Sequence, residues 1–213
     1  PEAFINMLAL LGWNPGTEQE LFSMDELISA FSLERVSKSG ARFQPEKAHW
    51  FNGQYMHRKS NEEIGALLKP ILKENGIECS DELAATIGGH IKERSTFPAD
   101  FWDLAGYFFI APTEYDPKSV KKYWKGENPA KLMEIREVLA AIEDFSIENT
   151  DAAVHEWIER TGYSAGQIIN TLRLSVVGAC KGPGMFDVLA LVGKEPVLAR
   201  IDAAIAALGM GNE

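Results

Sequence analysis

The 213 residues carry 46% hydrophobic and 24% charged side chains, enough apolar material for a buried core and too much for a disordered chain. Twenty-one basic residues stand against thirty-one acidic ones, a formal charge of −10, so bulk charge does not make this a nucleic-acid binder and local basic clustering would have to. Two cysteines, Cys79 and Cys180, are too few and too far apart for a disulfide scaffold or a Cys-based zinc site, and the four histidines show no HExxH spacing. No apolar run approaches the ~20 residues of a membrane span, and no basic stretch leads an apolar one as in a signal peptide. The expectation is a cytoplasmic protein with no membrane partner. It opens on Pro1-Glu2-Ala3-Phe4 without a methionine, which reads as a piece of something longer.

In chain order, Pro1-Glu2 opens a helix with Phe4, Ile5, Leu8 and Leu11 as its stripe and Gly12 as its stop. Ser23-Met24-Asp25-Glu26 spells a capping box, serine at the N-cap and glutamate at N3. Pro45 suits a first helical position ahead of Ala48, Phe51 and Tyr55. Ser60-Asn61-Glu62-Glu63 is a second capping box, leading Ile64, Leu68 and Leu72 toward Gly76. Asn128-Pro129 combines an N-cap with proline at N1 before Leu132, Ile135, Leu139 and Ile142. Ser164 caps a segment carrying Ile168, Ile169, Leu172 and Val176, and a last helix starts near Glu195 with Val197, Leu198, Ile201, Ile205 and Leu208. Alternation at period two is nearly absent, so the fold class is all-α, a multi-helix bundle of about ten helices in consecutive subdomains. Breaks fall at Arg58-Lys59-Ser60, at the polar stretch 111–117, and more weakly at Lys181-Gly182-Pro183-Gly184, which separates helices rather than domains.

Residues 34–59 hold six basic side chains (Arg35, Lys38, Arg42, Lys47, Arg58, Lys59) against Glu34 and Glu46, a +4 window inside an acidic chain. Lysines, serine hydroxyls and exposed backbone N–H groups are the partners a phosphate backbone needs, whereas the same charges also make an ordinary solvated face. Trp50 lies in this window, where an amphipathic helix equally uses tryptophan as core. Near the C-terminus, Arg173 precedes Lys181-Gly182-Pro183-Gly184-Met185-Phe186, a rigid turn with exposed backbone groups and apolar neighbours for stacking. Its plain alternative is a helix-to-helix turn whose Met185 and Phe186 enter the core. Val36-Ser37-Lys38-Ser39 looks like the ATP-binding signature loop of class I aminoacyl-tRNA synthetases. No HxGH-type segment or Gly-rich strand-to-helix turn accompanies it, so it has no site to act in.

Longer runs carry a more specific likeness. Pro1 to Trp13, Glu34-Arg35-Val36-Ser37-Lys38-Ser39-Gly40-Ala41-Arg42-Phe43, Glu46-Lys47, Trp50, Asn52-Gly53-Gln54-Tyr55, Lys92-Glu93-Arg94 and Gly182 to Leu189 occur in the order found in bacterial glutamyl-tRNA synthetases after their catalytic domain. The chain resembles the C-terminal region of that family along nearly its whole length. The resemblance implies a stem-contact domain over 1–60 and two helical anticodon-binding domains over 61–110 and 111–213. It also implies tRNA(Glu) and the enzyme's own N-terminal catalytic domain as partners. Glutamate, ATP and Mg would be held by that missing half, leaving no cofactor, metal or catalytic residue here.

By the same resemblance Arg94 reads the third anticodon base, a cytosine, whose O2 and N3 accept what a donor-only guanidinium offers. An uncharged residue there would admit the glutamine tRNA. Arg173 matches an anticodon-loop contact, and Gly182, Pro183, Met185 and Phe186 match the turn that holds the first anticodon base. Gly182 stands where a family member has threonine and Met185 where it has leucine, which removes a hydroxyl but leaves backbone readout. Lys38, Lys47 and Trp50 fall to the tRNA stem and backbone. A helical protein-interaction scaffold without RNA binding is the alternative reading of the same chain.

Overall fold

A computed structural model describes residues 1–38 and 40–210; Ser39 and residues 211–213 lie outside the described part. The Ser23 and Ser60 boxes close as their spelling requires. Ser23 Oγ accepts from Glu26 N at 3.2 Å while Ser23 N donates to the Glu26 carboxylate at 2.7 Å. Ser60 and Glu63 repeat the exchange at 3.2 and 2.8 Å. The Ser23 and Ser60 backbones hold the Glu26 and Glu63 carboxyls below the usual carboxylate range, with Lys59 adding to the effect on Glu63.

The described residues form twelve α-helices, three short 3-10 helices and no strand, so the all-α expectation holds; an isolated antiparallel bridge joins Trp13 to Val36. The chain divides into two compact units, Pro1–Leu104 and Ala105–Glu213, with the division inside α6 (Phe101–Phe109).

The first unit begins with α1 (Glu2–Gly12), α2 (Met24–Ala30) and a 3-10 turn at Leu33–Arg35. It continues with α3 (Pro45–Arg58), α4 (Asn61–Glu74), α5 (Asp81–Ile91) and further 3-10 turns at Lys92–Arg94 and Pro98–Asp100. Pro45 sits at the start of α3 as expected. In α1, however, Ala3, Asn6 and Met7 are buried, while Phe4, Ile5 and Leu8 of the expected stripe are exposed. Ala3 and Met7 pack with Phe51 of α3. Asn6 is buried because its Oδ1 accepts from Phe22 N at 2.9 Å and from the Tyr55 hydroxyl at 2.8 Å, pinning the α1–α2 loop to α3. Helices α4 and α5 pack so closely that a Cβ at Gly65 would lie 2.7 Å from Ala85 N and 2.8 Å from the Ala84 carbonyl carbon.

The second unit holds α7 (Pro117–Tyr123), α8 (Asn128–Ala140), α9 (Ile147–Thr161), α10 (Ala165–Val177), α11 (Met185–Val192) and α12 (Lys194–Leu208). Helix α8 packs against α9, α10 and α12, and α11 against α9 and α12. Leu132, Ile135, Leu139, Val154, Ile168 and Ile201 are fully buried among them. Asn128 lies inside α8 rather than at its N-cap. It is a buried polar hub, donating to the Tyr123 carbonyl at 2.7 Å and accepting from the Tyr163 hydroxyl at 2.5 Å. Arg136 grips Asp202 through two bonds of 2.6 and 2.8 Å, tying α8 to α12. No helix among the described residues is long and apolar enough to cross a membrane.

Candidate nucleic-acid interface

In the first unit the basic window thins once side chains are placed. Arg35 donates to the Pro15 carbonyl and Lys59 pairs with Glu63 at 3.4 Å, so both serve the fold. Arg42 and Lys47 line a cleft with Glu20, Gln44 and Phe51, and Lys38 is exposed on the loop after the Trp13–Val36 bridge. Lys47 and Trp50, three apart on α3, share one face of that helix. Trp50 is 43% exposed with its ring edge-on to Phe51 at 4.9 Å, and Phe51 is the core residue of the pair. The core alternative for Trp50 is thereby set aside.

Arg94 ends the 3-10 turn that continues α5. It is exposed, donates through Nη1 to the His90 carbonyl at 3.2 Å, and takes part in no ion pair among the described residues. The segment around it is fixed to α3: Asn52 donates to the Thr96 carbonyl, His57 Nδ1 lies 3.8 Å from Glu93, and the His49 ring stands edge-on to Phe97 at 5.1 Å. One helix therefore carries Lys47 and Trp50 and anchors the turn that presents Arg94, while Lys38 stands on a separate loop.

In the second unit the turn between α10 and α11 is built by backbone bracing. Asp116 N donates to the Gly178 carbonyl at 2.7 Å, and Cys180 N donates to Ser119 Oγ at 3.3 Å. Burial pushes the Cys180 thiol above the usual thiol range. Half-buried Arg173 donates through Nη1 to the Lys181 carbonyl at 3.3 Å, joining α10 to the turn. Gly182 has φ +111°, the left-handed region that favours glycine; a Cβ there would lie 2.8 Å from Tyr107 Oη and 3.6 Å from Arg173 Nη1. Pro183 is buried, and Met185, 3% exposed, belongs to the core. The apolar surface that the turn offers is the half-buried Phe186, whose ring lies 5.7 Å from that of His155.

Two residues that the sequence does not flag complete this region. Tyr107 reaches Gly182 from α6, some distance away in the chain. Arg200, 4% exposed, extends from α12 and donates through Nη1 to the Tyr107 carbonyl at 2.6 Å and the Val176 carbonyl at 3.0 Å. Burial pulls the Arg200 guanidinium below its usual range. Lone polar residues of this kind carry no spacing signal.

Residues 63–205 match the family model described as an anticodon binding domain. A glutamate–tRNA ligase from Phocaeicola vulgatus is 52% identical over 98% of this chain and 41% of its own length. The crystal structure of a glutamate tRNA ligase from Elizabethkingia meningosepticum in complex with its amino acid superposes with a TM-score of 0.92. Its identity is 44%, over 98% of this chain and 41% of that one. A glutamate–tRNA synthetase structure from Elizabethkingia anophelis gives 0.88 at 43%, over 97% and 40%. The chain thus spans about two fifths of the length of these relatives, and it belongs to the anticodon-binding-domain family, as a relative of glutamate–tRNA ligases.

Proposed function

We propose that this chain is the tRNA-reading portion of a bacterial glutamate–tRNA ligase of the cytoplasm, holding tRNA(Glu) while glutamate is activated and transferred elsewhere in the enzyme. The observation that carries this reading is the match along 98% of the chain to glutamate–tRNA ligases. Exposed, carboxylate-free Arg94 is consistent with a guanidinium presented to the third anticodon base. Lys38, Lys47 and Trp50 would meet the stem side, and Arg173, Gly182 and Phe186 the anticodon loop, with buried Pro183 and Met185 shaping the turn from beneath. Residues 1–60 would be the stem-contact part, and 61–110 and 111–213 the two anticodon-binding parts. ATP and Mg chemistry would fall to residues outside this chain. The exposed apolar side of α1 suits a surface that receives the rest of such an enzyme.

A chemical footprint of the 213-residue chain on a tRNA(Glu) transcript, titrated with salt, tests this. Protection of the anticodon loop with steep salt dependence is expected; absence of protection at any salt would overturn the assignment in favour of a protein-binding scaffold. In the same assay Arg94→Gln should cost about tenfold in discrimination at the third anticodon base, more than it costs in affinity. Equal losses on glutamate and glutamine tRNAs would remove Arg94 from that role.

A further inference from the structure

We infer that the lysine-bearing side of α7 is a further cationic surface of this chain, one that grips the phosphates of the RNA strand whose bases lie at the α10–α11 turn. The inference rests on the anticodon-reading function proposed above and adds to it a backbone contact supplied by a different element.

The segment 118–125 holds Lys118, Lys121, Lys122 and Lys125 and no acid, in a chain of net charge −10. Lys118, Lys121 and Lys122, three and four apart, share one side of α7, and Lys125 follows just past its end. All four are exposed, while Ser119 and Trp124 are buried and Val120 and Tyr123 half-buried, so the opposite side meets the core. The Lys122 ammonium rests over the Tyr123 ring, 4.9 Å from its centroid. Lys118, Lys121 and Lys125 enter no ion pair and no side-chain hydrogen bond among the described residues. Asp116 and Glu127 are the flanking acids in the chain, and Asp116 is taken up by Ser119, accepting from its N–H at 2.8 Å and its hydroxyl at 2.6 Å.

Helix stability does not account for this row. Lys121 and Lys122 suit the last turn, but Lys118 stands in the first, where the helix dipole disfavours positive charge. The row is instead placed beside the turn: Asp116 N donates to the Gly178 carbonyl at 2.7 Å and Cys180 N to Ser119 Oγ at 3.3 Å, tying the start of α7 to residues just ahead of Gly182. An ammonium is a compact point charge without the planar fork that picks out a base edge, so a row of lysines serves phosphates and leaves sequence to other groups. A polyanionic strand running on from a held loop is the partner that this continuous cationic side fits.

The test compares the 213-residue chain with a triple variant, Lys118→Gln, Lys121→Gln and Lys125→Gln, and with Lys118→Arg, Lys121→Arg and Lys125→Arg combined. Binding to a tRNA(Glu) transcript and to one changed at the first anticodon base is titrated against salt, hydroxyl-radical cleavage maps the RNA backbone, and thermal melting follows the fold. The glutamine triple should melt with the unmodified chain, lose backbone protection in the anticodon arm, and bind with a log–log salt slope about two units shallower. Its preference between the two transcripts should stay the same. Lys118→Gln and Lys121→Gln alone should each take about 0.7 units from the slope, and the arginine triple should keep it. An unchanged slope in the glutamine triple, or a loss confined to one transcript, would remove α7 from the RNA surface while the anticodon-binding function stands. So would intact RNA binding with lost binding to polyglutamate, which would give this side to an acidic protein. If the unmodified chain binds neither transcript, the function and this inference fall together.

Discussion

The two units spend their apolar side chains differently. Eleven large hydrophobic residues of the first unit are exposed, among them Phe4, Ile5, Leu8, Ile28 and Leu33, whereas the described residues of the second unit expose three, Ile110, Ile147 and Met210. The second unit is closed by helices that bury Leu132, Ile135, Leu139, Trp157 and Ile201 to 2% exposure or less. Among the described residues, α1, α2 and α3 enclose two small clusters, around Met7 and Phe51 and around Trp13 and Phe22, beside the closely packed α4–α5 pair. The first unit thus leaves in water the kind of side chain that the second packs away.

The contrast can be broken most directly in the second unit. Leu139→Ala should cost about 3 kcal/mol in urea denaturation, because a fully buried leucine leaves a cavity its neighbours cannot fill. A cost under ~1 kcal/mol would mean that α8 is no better packed than α1. Next comes Gly65→Ala, which forces a methyl against the α5 backbone and should cost about 2 kcal/mol. Hydrogen exchange should then accelerate in α4 and α5 while α8 to α12 keep their protection.

Ser60→Ala should remove about 1 kcal/mol by opening the α4 cap. Glu63 gives that cap a pH signature. Its folded pKa is depressed, so its contribution is complete above the ordinary carboxylate pKa and is lost as pH falls through the folded value. Glu63→Gln should therefore melt below the unmodified chain at neutral pH and match it once the pH has fallen below the depressed folded pKa. The smallest effect belongs to Leu8→Ser, within about 0.5 kcal/mol, because that side chain is already in water. A loss as large as that of Leu139→Ala would show that the α1 face is a core face after all.

Local grammar was the legible part of this sequence. The capping boxes at Ser23 and Ser60 and the proline start of α3 depend on contacts three residues apart, and each formed. Helix faces were less readable. Helix α1 is apolar on more than one side, and what decides its buried face is the pairing of Asn6 with Phe22 and Tyr55, sixteen and forty-nine residues away. Asn128 misled for the same reason, since a good N-cap residue is also a good buried hub when Tyr123 and Tyr163 supply partners. The turn at Gly182 was recognisable, but which of its apolar residues faces outward was not. Met185 and Phe186 are adjacent on α11, and only the packing of that helix against α9 and α12 sends the first inward.

Arg200 carries a consequence of its own. Its charge is compensated by two main-chain oxygens, and no carboxylate pairs with it among the described residues. Every amino acid supplies a carbonyl, so these two hydrogen bonds do not themselves depend on which side chains residues 107 and 176 carry. The arginine has less latitude: one guanidinium nitrogen makes both bonds, and a lysine in its place would bring a compact, more strongly hydrated ammonium into the same buried spot. As a hydrogen-bonded joint between α6 and α10, it therefore depends on side-chain identity at a single position, residue 200.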